Sequence, residues 1–259
     1  MTPTSGPARR LRQSEQVTPV AREHSAAARS QPGDLSSLGP ARIRRYGRVI
    51  DGVRTSRVRS RAKRTIDVVI AACLLVLVAP VFLALAIAVK MDSPGPVLFA
   101  HRRLGRSGRF FDCLKFRSMR VDAERVLRDD ETLQDWYVRN HFKIPTHLDR
   151  RVTRLGRFLR LTSLDELPQL INVIRGDMAL VGPRPIVESE GRHYGEQLAE
   201  LLSIRPGLSG AWAVQGRSRV GYPQRVDIEL QYVRSWTLRN DAAILLRTPW
   251  VVLTQRGSM

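Results

Sequence analysis

The chain has 259 residues, 43% of them apolar, enough for one sizeable folded domain with appendages. Its 43 Lys and Arg against 24 Asp and Glu leave a formal charge of +19, which favours an anionic partner (nucleic acid, anionic lipid or a phosphorylated substrate) without choosing among them. Two lone cysteines, Cys73 and Cys113, exclude a disulfide framework and have no metal-ligand spacing, which points to a reducing compartment.

The charge is unevenly spread. From Met1 to Arg64, 15 Arg and Lys stand against 4 Asp and Glu, so this stretch carries 11 of the 19 net charges. It is rich in Ser, Ala, Pro and Gly, has no helical or alternating period, and cannot bury enough apolar surface to offset its ordering entropy. Residues 1–62 are therefore expected to be a disordered basic arm, and they hold no apolar run of the kind a secretory signal needs. The arm is either a solvated tail or a contact for anionic membrane lipids, where each cation near the surface adds about 1 kcal/mol.

Val68 to Val89 is an uncharged run of 22 residues, long enough as a helix to cross a hydrocarbon core of about 30 Å. Pro80 lies near its middle, lacks an N–H and is expected to bend the helix there. Both flanks are basic, Arg61, Lys63 and Arg64 before the run and Lys90, Arg102 and Arg103 after it. A spanning helix would place one basic flank on the wrong side, whereas a re-entrant helix over residues 63–90 leaves both in the cytoplasm. A core helix of a water-soluble protein is the alternative, at odds with apolarity of this length.

Residues 91–259 read as a cytoplasmic domain. Ser93 to Phe99 is a turn-rich exit, and His101 to Met119 has the strand content and glycine punctuation of a small β-hairpin. Val121 to Phe142 reads as a polar helical region, and Arg154 to Leu161 as a short basic amphipathic helix. In Thr162 to Met178, Leu167, Leu170, Ile171 and Ile174 recur at helical spacing and predict one buried face, with Gly176 as terminator. Ser163 and Glu166 have capping-box spacing, but Asp165 as N-cap keeps Pro168 in the tolerant first turn. Asp165 is then either a cap or a carboxylate placed where a helix start also attracts phosphate. Arg184 lies between two prolines and Arg217 ends a Gly-rich segment. Singly such arginines are surface charges; with Lys115 and Arg160 they form a set suited to a diphosphate.

Five blocks in one order, SPGPVLF, GRSGRFFDCLKFRSM, TSLDELPQLINVIRGDMALVGPRP, RPGLSGAWAVQGRS and YVRSWTLRNDAAILLRT, resemble the bacterial sugar transferase family, the monotopic polyprenol-phosphate phosphoglycosyl transferases. The resemblance runs from about Lys63 to Leu253, and the Gly-Leu-Ser-Gly-Ala-Trp form is most similar to members handling galactose or glucose phosphate. It implies an α+β, mostly α, fold: a re-entrant bent helix beneath a compact catalytic domain with a small β element, at the cytoplasmic face of the bacterial inner membrane. It further implies transfer of a hexose-1-phosphate from a UDP-sugar to polyprenyl phosphate with release of UMP, as an opening step of exopolysaccharide or glycoconjugate assembly. In that scheme Asp165 is the nucleophile, kept ionised by surrounding cations, and Glu166 helps hold Mg²⁺. Lys115, Arg160, Arg184 and Arg217 surround the nucleotide and phosphates. Nucleic acid is not among the implied partners, and a homodimer is compatible with the resemblance.

Three positions depart from the family pattern. Ala79 stands where Ser often precedes the bend proline Pro80, Ala213 where a Gln is usual (or that Gln is shifted to Gln215), and Glu229 where an Asp is usual, as a possible structural carboxylate. The other reading of the chain is a non-catalytic, membrane-tethered basic binding protein or an assembly scaffold. UMP release from a UDP-sugar separates it from the enzyme. Trp236 and Trp250 are candidates for the membrane interface or for ordinary packing, and the five histidines form no cluster.

Overall fold

The computed structural model describes residues 57–139 and 144–254, so the expected arm lies outside the described residues except at 57–62, which are helical. Helix α1 (Arg57–Asp92) is 36 residues long and passes through Pro80 without ending. It outruns the apolar stretch at both ends, where Arg, Lys and Ala are good helix formers and Lys63 meets Asp67 one turn on at 3.3 Å. Among the described residues it is the one helix long and apolar enough, by length and composition, to cross a membrane.

One stripe of α1 faces protein on both sides of Pro80. Ile70, Ala71, Leu75 and Val78 pack in a cluster with Leu170, Val173 and Tyr232, while Phe82, Leu85, Ala86 and Val89 pack in another with Phe116 and Leu159. Steps of three and four residues keep these positions on one helical face. The opposite face is bare: Val69, Val76, Leu77, Leu83, Ile87 and Met91 are between 53% and 82% exposed.

The expected hairpin is present, starting a little earlier than His101. Strands β1 (Leu98–Leu104) and β2 (Phe110–Phe116) pair antiparallel, with Phe99 opposite Lys115 and His101 opposite Cys113. The polar helical region is two short helices, α2 (Ala123–Asp129) and α3 (Glu131–Arg139), because Asp130 turns outward and its carboxylate accepts from Leu133 N at 3.0 Å. Helix α4 (Arg154–Thr162) starts at Thr153, whose hydroxyl accepts from Gly156 N at 2.9 Å. Position 156 has to be glycine, since a Cβ there would lie 1.9 Å from the carbonyl oxygen of Ser118.

A 3₁₀ turn (Leu164–Glu166) leads into α5 (Gln169–Arg175), which Gly176 ends at φ +99°, as its sequence position predicted. Strand β3 (Ala179–Val181) pairs in parallel with β4 (Gly207–Ser209), a second sheet whose three-residue strands are too short to show a period in sequence. Between them lie a 3₁₀ segment (Glu188–Gln197) and α6 (Leu198–Leu201). Helices α7 (Ala211–Val214), α8 (Gln224–Arg234) and α9 (Leu238–Leu253) complete a mostly helical fold with two small sheets. On α9, Leu246, Trp250 and Leu253 are exposed. Trp236 is not an exposed anchor: it packs against the core, and its indole N–H donates to Asp241 at 3.0 Å.

Candidate active site

Ser163 takes a left-handed conformation (φ +59°), ends α4 and swings the chain into the 3₁₀ turn. Asp165 therefore sits inside that turn, 7% exposed, and does not cap a single longer helix. The α-helical part begins only after Pro168, which has no N–H to give to the turn before it. The buried face of α5 is Gln169, Leu170, Asn172 and Val173, displaced from the predicted Leu167, Leu170, Ile171 and Ile174. Contact with α1 and with β2 covers two sides of this short helix, so a one-face pattern misplaces the burial.

Asn172, fully buried, is the pin between dyad and hairpin. Its carbonyl accepts from Leu114 N at 2.9 Å and its amide donates to Asp112 O at 2.8 Å, on the edge of β2 that β1 leaves open. The register this sets brings Lys115 to the dyad, with Nζ 2.7 Å from Glu166 Oε1 and 3.6 Å from Asp165 Oδ2.

The arginines arrive from three other segments. Arg160, in the last turn of α4, donates to Ser118 Oγ at 2.9 Å and is close enough to act electrostatically on Asp165. Arg217 takes a left-handed φ of +52° and donates to Ser163 Oγ at 3.0 Å. Arg184 lies over the Trp212 ring, 5.0 Å from its centroid, and with Arg217 acts on Glu166. Its loop is held from beneath by Glu229, 1% exposed, which accepts from Arg184 N at 3.1 Å and from the Tyr194 hydroxyl and pairs with Arg225 at 3.4 Å. All six residues singled out around the expected chemistry, Lys115, Arg160, Asp165, Glu166, Arg184 and Arg217, thus gather at one place. Pro80 lies elsewhere, on α1.

Adjacent in sequence, the two carboxylates differ in character. Burial pushes Asp165 up from the usual 3.8, and Glu166 pushes the same way; Lys115 and Arg160 only partly oppose them. Lys115 and Arg160 act in the expected direction, toward the ionised form, but burial and Glu166 outweigh them. Burial also opposes ionisation of Glu166, but Lys115, Arg184 and Arg217 outweigh it and bring the group to about 2. Glu166 is the fixed anion, and Asp165 is the more basic oxygen.

Reading the sequence missed His101 and Arg103. Period-two alternation sets both on the hairpin face that carries Lys115, but only the observed register shows it. Arg103 donates to His101 Nδ1 at 3.1 Å and pairs with Glu190 at 3.5 Å. Burial, with Arg103 and Lys115 nearby, lowers His101 to about 4, so at neutral pH it is an uncharged ring carrying its hydrogen on Nε2. Arg225 was also missed; it lies 4.8 Å from the Trp212 centroid and pairs with Glu190 as well as Glu229. Among the described residues, no group of three or more His, Cys, Asp or Glu could hold a metal ion. Two adjacent carboxylates suit Mg²⁺ only in company with phosphate oxygens, which is how Mg²⁺ is usually held.

The structure thus joins a carboxylate pair ringed by cations, with Asp165 buried, to a domain that carries one long helix with a bare apolar face. The family model described as bacterial sugar transferase matches residues 58–255, and the chain belongs to that family. It is 44% identical over 201 residues to an undecaprenyl-phosphate galactose phosphotransferase of Salmonella typhimurium, covering 76% of this chain and 41% of that protein. It is 42% identical to the exopolysaccharide production protein ExoY of Rhizobium meliloti, covering 76% of this chain and 88% of ExoY. A UDP-glucose:undecaprenyl-phosphate glucose-1-phosphate transferase of Caulobacter vibrioides is 41% identical over 74% of this chain and 70% of that protein. The matched part is thus about two-fifths of the longer relatives and most of ExoY.

Proposed function

We propose that this chain is a monotopic phosphoglycosyl transferase that moves a hexose-1-phosphate from a UDP-sugar to undecaprenyl phosphate, as an opening step of exopolysaccharide or glycoconjugate assembly. The observation that carries the reading is the Asp165–Glu166 pair with Lys115 against both carboxylates and three arginines around it. An oxygen of Asp165 attacks the β-phosphorus of the UDP-sugar. The bond from that phosphorus to the bridging oxygen breaks, and UMP leaves with the electron pair. The sugar phosphate remains as an acyl phosphate on Asp165 until a phosphate oxygen of the polyprenyl carrier attacks the same phosphorus and restores the carboxylate.

The residues divide this work by charge. Asp165, raised by burial, is the more nucleophilic carboxylate, while Lys115, Arg160, Arg184 and Arg217 neutralise the diphosphate and the departing UMP. Glu166, with Asp165, would hold Mg²⁺ alongside diphosphate oxygens, and the ion would supply further charge neutralisation. The names of the relatives favour galactose or glucose as the sugar.

The packing of α1 supports the re-entrant reading. Ala71 before Pro80 and Val89 after it are both buried against the domain, while the opposite face is bare. A helix crossing about 30 Å of hydrocarbon would carry half of this stripe away from the domain. The exposed apolar side chains of α1, and with them Phe158, Leu246, Trp250 and Leu253, would supply the contact with the cytoplasmic leaflet.

Asp165→Asn tests the mechanism with little change in size, and a purely structural role predicts a mild effect. Nucleophilic catalysis predicts loss of UMP release by at least about a thousandfold, since a carboxamide cannot form the acyl phosphate. The wild type should release UMP before any carrier is added and carry a phospho-sugar adduct visible by mass spectrometry. Ordinary turnover in the variant, or a strict need for carrier before UMP appears, would refute the assignment.

A further inference from the structure

At the far end of α5 from the dyad the molecule carries a second basic recess. Lys63, Arg64, Asp67, Arg106, Arg205 and Trp236 are among the residues that line it, around a cavity of about 50 Å³. The recess is small and partly open to solvent. Its cations come from three places in the chain: α1, the hairpin loop and the segment before β4. Two contacts assemble them. Arg64 donates to the carbonyls of Val173 and Ile174 at 2.5 and 2.9 Å, and Ser107 N donates to Leu202 O at 2.8 Å, holding the hairpin loop against residues 202–205.

The charges here are unevenly matched. Lys63 is satisfied by Asp241 at 2.6 Å and Asp67 at 3.3 Å. Arg205 spends Nε on Gly176 O at 2.8 Å, and among the described residues its other nitrogens bind no carboxylate. The exposed side chain of Arg106 has no hydrogen-bond or ion-pair partner among the described residues, while its carbonyl accepts from Arg109 N at 3.3 Å. Arg64, Arg106 and Arg205 stand close enough that burial and the other two guanidiniums lower the hold of Arg205 on its proton. Arg64, Arg106 and Arg205, only partly offset by Asp67 and Asp177, give this small recess an excess of positive charge suited to an anion. The other walls are apolar, Ile204 and Trp236, and the recess adjoins the start of α1's bare face at Ile66 and Val69.

We propose that this recess binds a phosphate-bearing anion with an apolar neighbour group, supplied by the headgroup of an anionic phospholipid, as a site separate from the dyad. The phosphate lies between Arg106 and Arg205, and the lipid chains continue along α1. The lipid source rests on the membrane reading above; the phosphate chemistry does not.

Hydrogen exchange of the full chain in nanodiscs tests this without relying on transferase activity. Exchange in the peptide containing Leu202 to Arg205 is compared in phosphatidylglycerol discs, in phosphatidylcholine discs, and in phosphatidylcholine discs with inorganic phosphate. For a site held at about ten times its Kd, exchange there should slow about tenfold in phosphatidylglycerol. Arg106→Glu should abolish the slowing while leaving UMP release intact, since the Arg106 guanidinium has no partner among the described residues and the recess lies apart from the dyad. Arg192→Glu, an exposed arginine outside the recess, should leave both unchanged. Slowing by inorganic phosphate alone keeps the anion site but moves its source to a soluble ligand. Equal exchange in all three conditions, or slowing that survives Arg106→Glu, overturns the proposal.

Discussion

Replacing Asn172 with alanine should damage stability and chemistry together, because one fully buried amide joins the dyad-bearing segment to the strand that carries Lys115. The substitution removes hydrogen bonds to Leu114 N, Asp112 O and the Asp177 carboxylate, of 2.9, 2.8 and 3.2 Å. Orphaning two backbone groups costs about 1–3 kcal/mol each, and because water reaches part of this edge the expected total is about 2–4 kcal/mol. For a domain of this size that lowers Tm by roughly 4–15 °C. Thermal unfolding of the detergent-solubilised chain measures the first effect. UMP release below the new Tm measures the second and should fall at least about tenfold, since Lys115 loses its register against the carboxylates. Asn172→Asp should be no milder, because it keeps an acceptor for Leu114 N but turns a repelling oxygen toward Asp112 O and Asp177. A Tm drop under about 2 °C, or an aspartate variant as stable as the wild type, would refute the reasoning.

Three further outcomes follow from the same geometry. Since Asp165 acts deprotonated and its pKa is raised above 3.8, the acid limb of UMP release should lie above that pH; Glu166→Gln should move the residual limb to lower pH by removing a like charge, and Lys115→Met to higher pH by removing a cation, so shifts of the same sign would exclude this coupling. Glu229→Ala should cost about 2–4 kcal/mol by orphaning the Tyr194 hydroxyl and Arg184 N and leaving buried Arg225 with Glu190 alone, with a smaller loss for Glu229→Asp; chemical denaturation measures both, and equal stability of all three forms would disprove the anchoring role. Cysteines introduced near Arg61 and Asp92 should label from the same side of the membrane, with Pro80→Leu shifting some molecules toward spanning; labelling of the two sites from opposite sides would rule out the re-entrant helix.

Local chemistry was enough to read several parts of this protein from the sequence. An uninterrupted apolar run announces α1, because no polar group breaks the stripe, and Gly176 announces the end of α5, because few other residues take a left-handed φ. The dyad, Lys115 and the three arginines were legible through motif order, since each block keeps its own local shape. What the sequence left undecided is how those blocks meet. Asp165 lies in a 3₁₀ turn because Ser163 bends the chain and Pro168 cannot donate, an outcome that competing capping patterns obscure. His101 and Arg103 join the site through strand register, and Trp236 is drawn inward by Asp241, a partner whose own position depends on Lys63. The raised pKa of Asp165 beside the lowered one of Glu166 is also a tertiary property. Both carboxylates have the same neighbours in sequence, but burial and distance from Lys115, Arg184 and Arg217 exist only once the segments have packed.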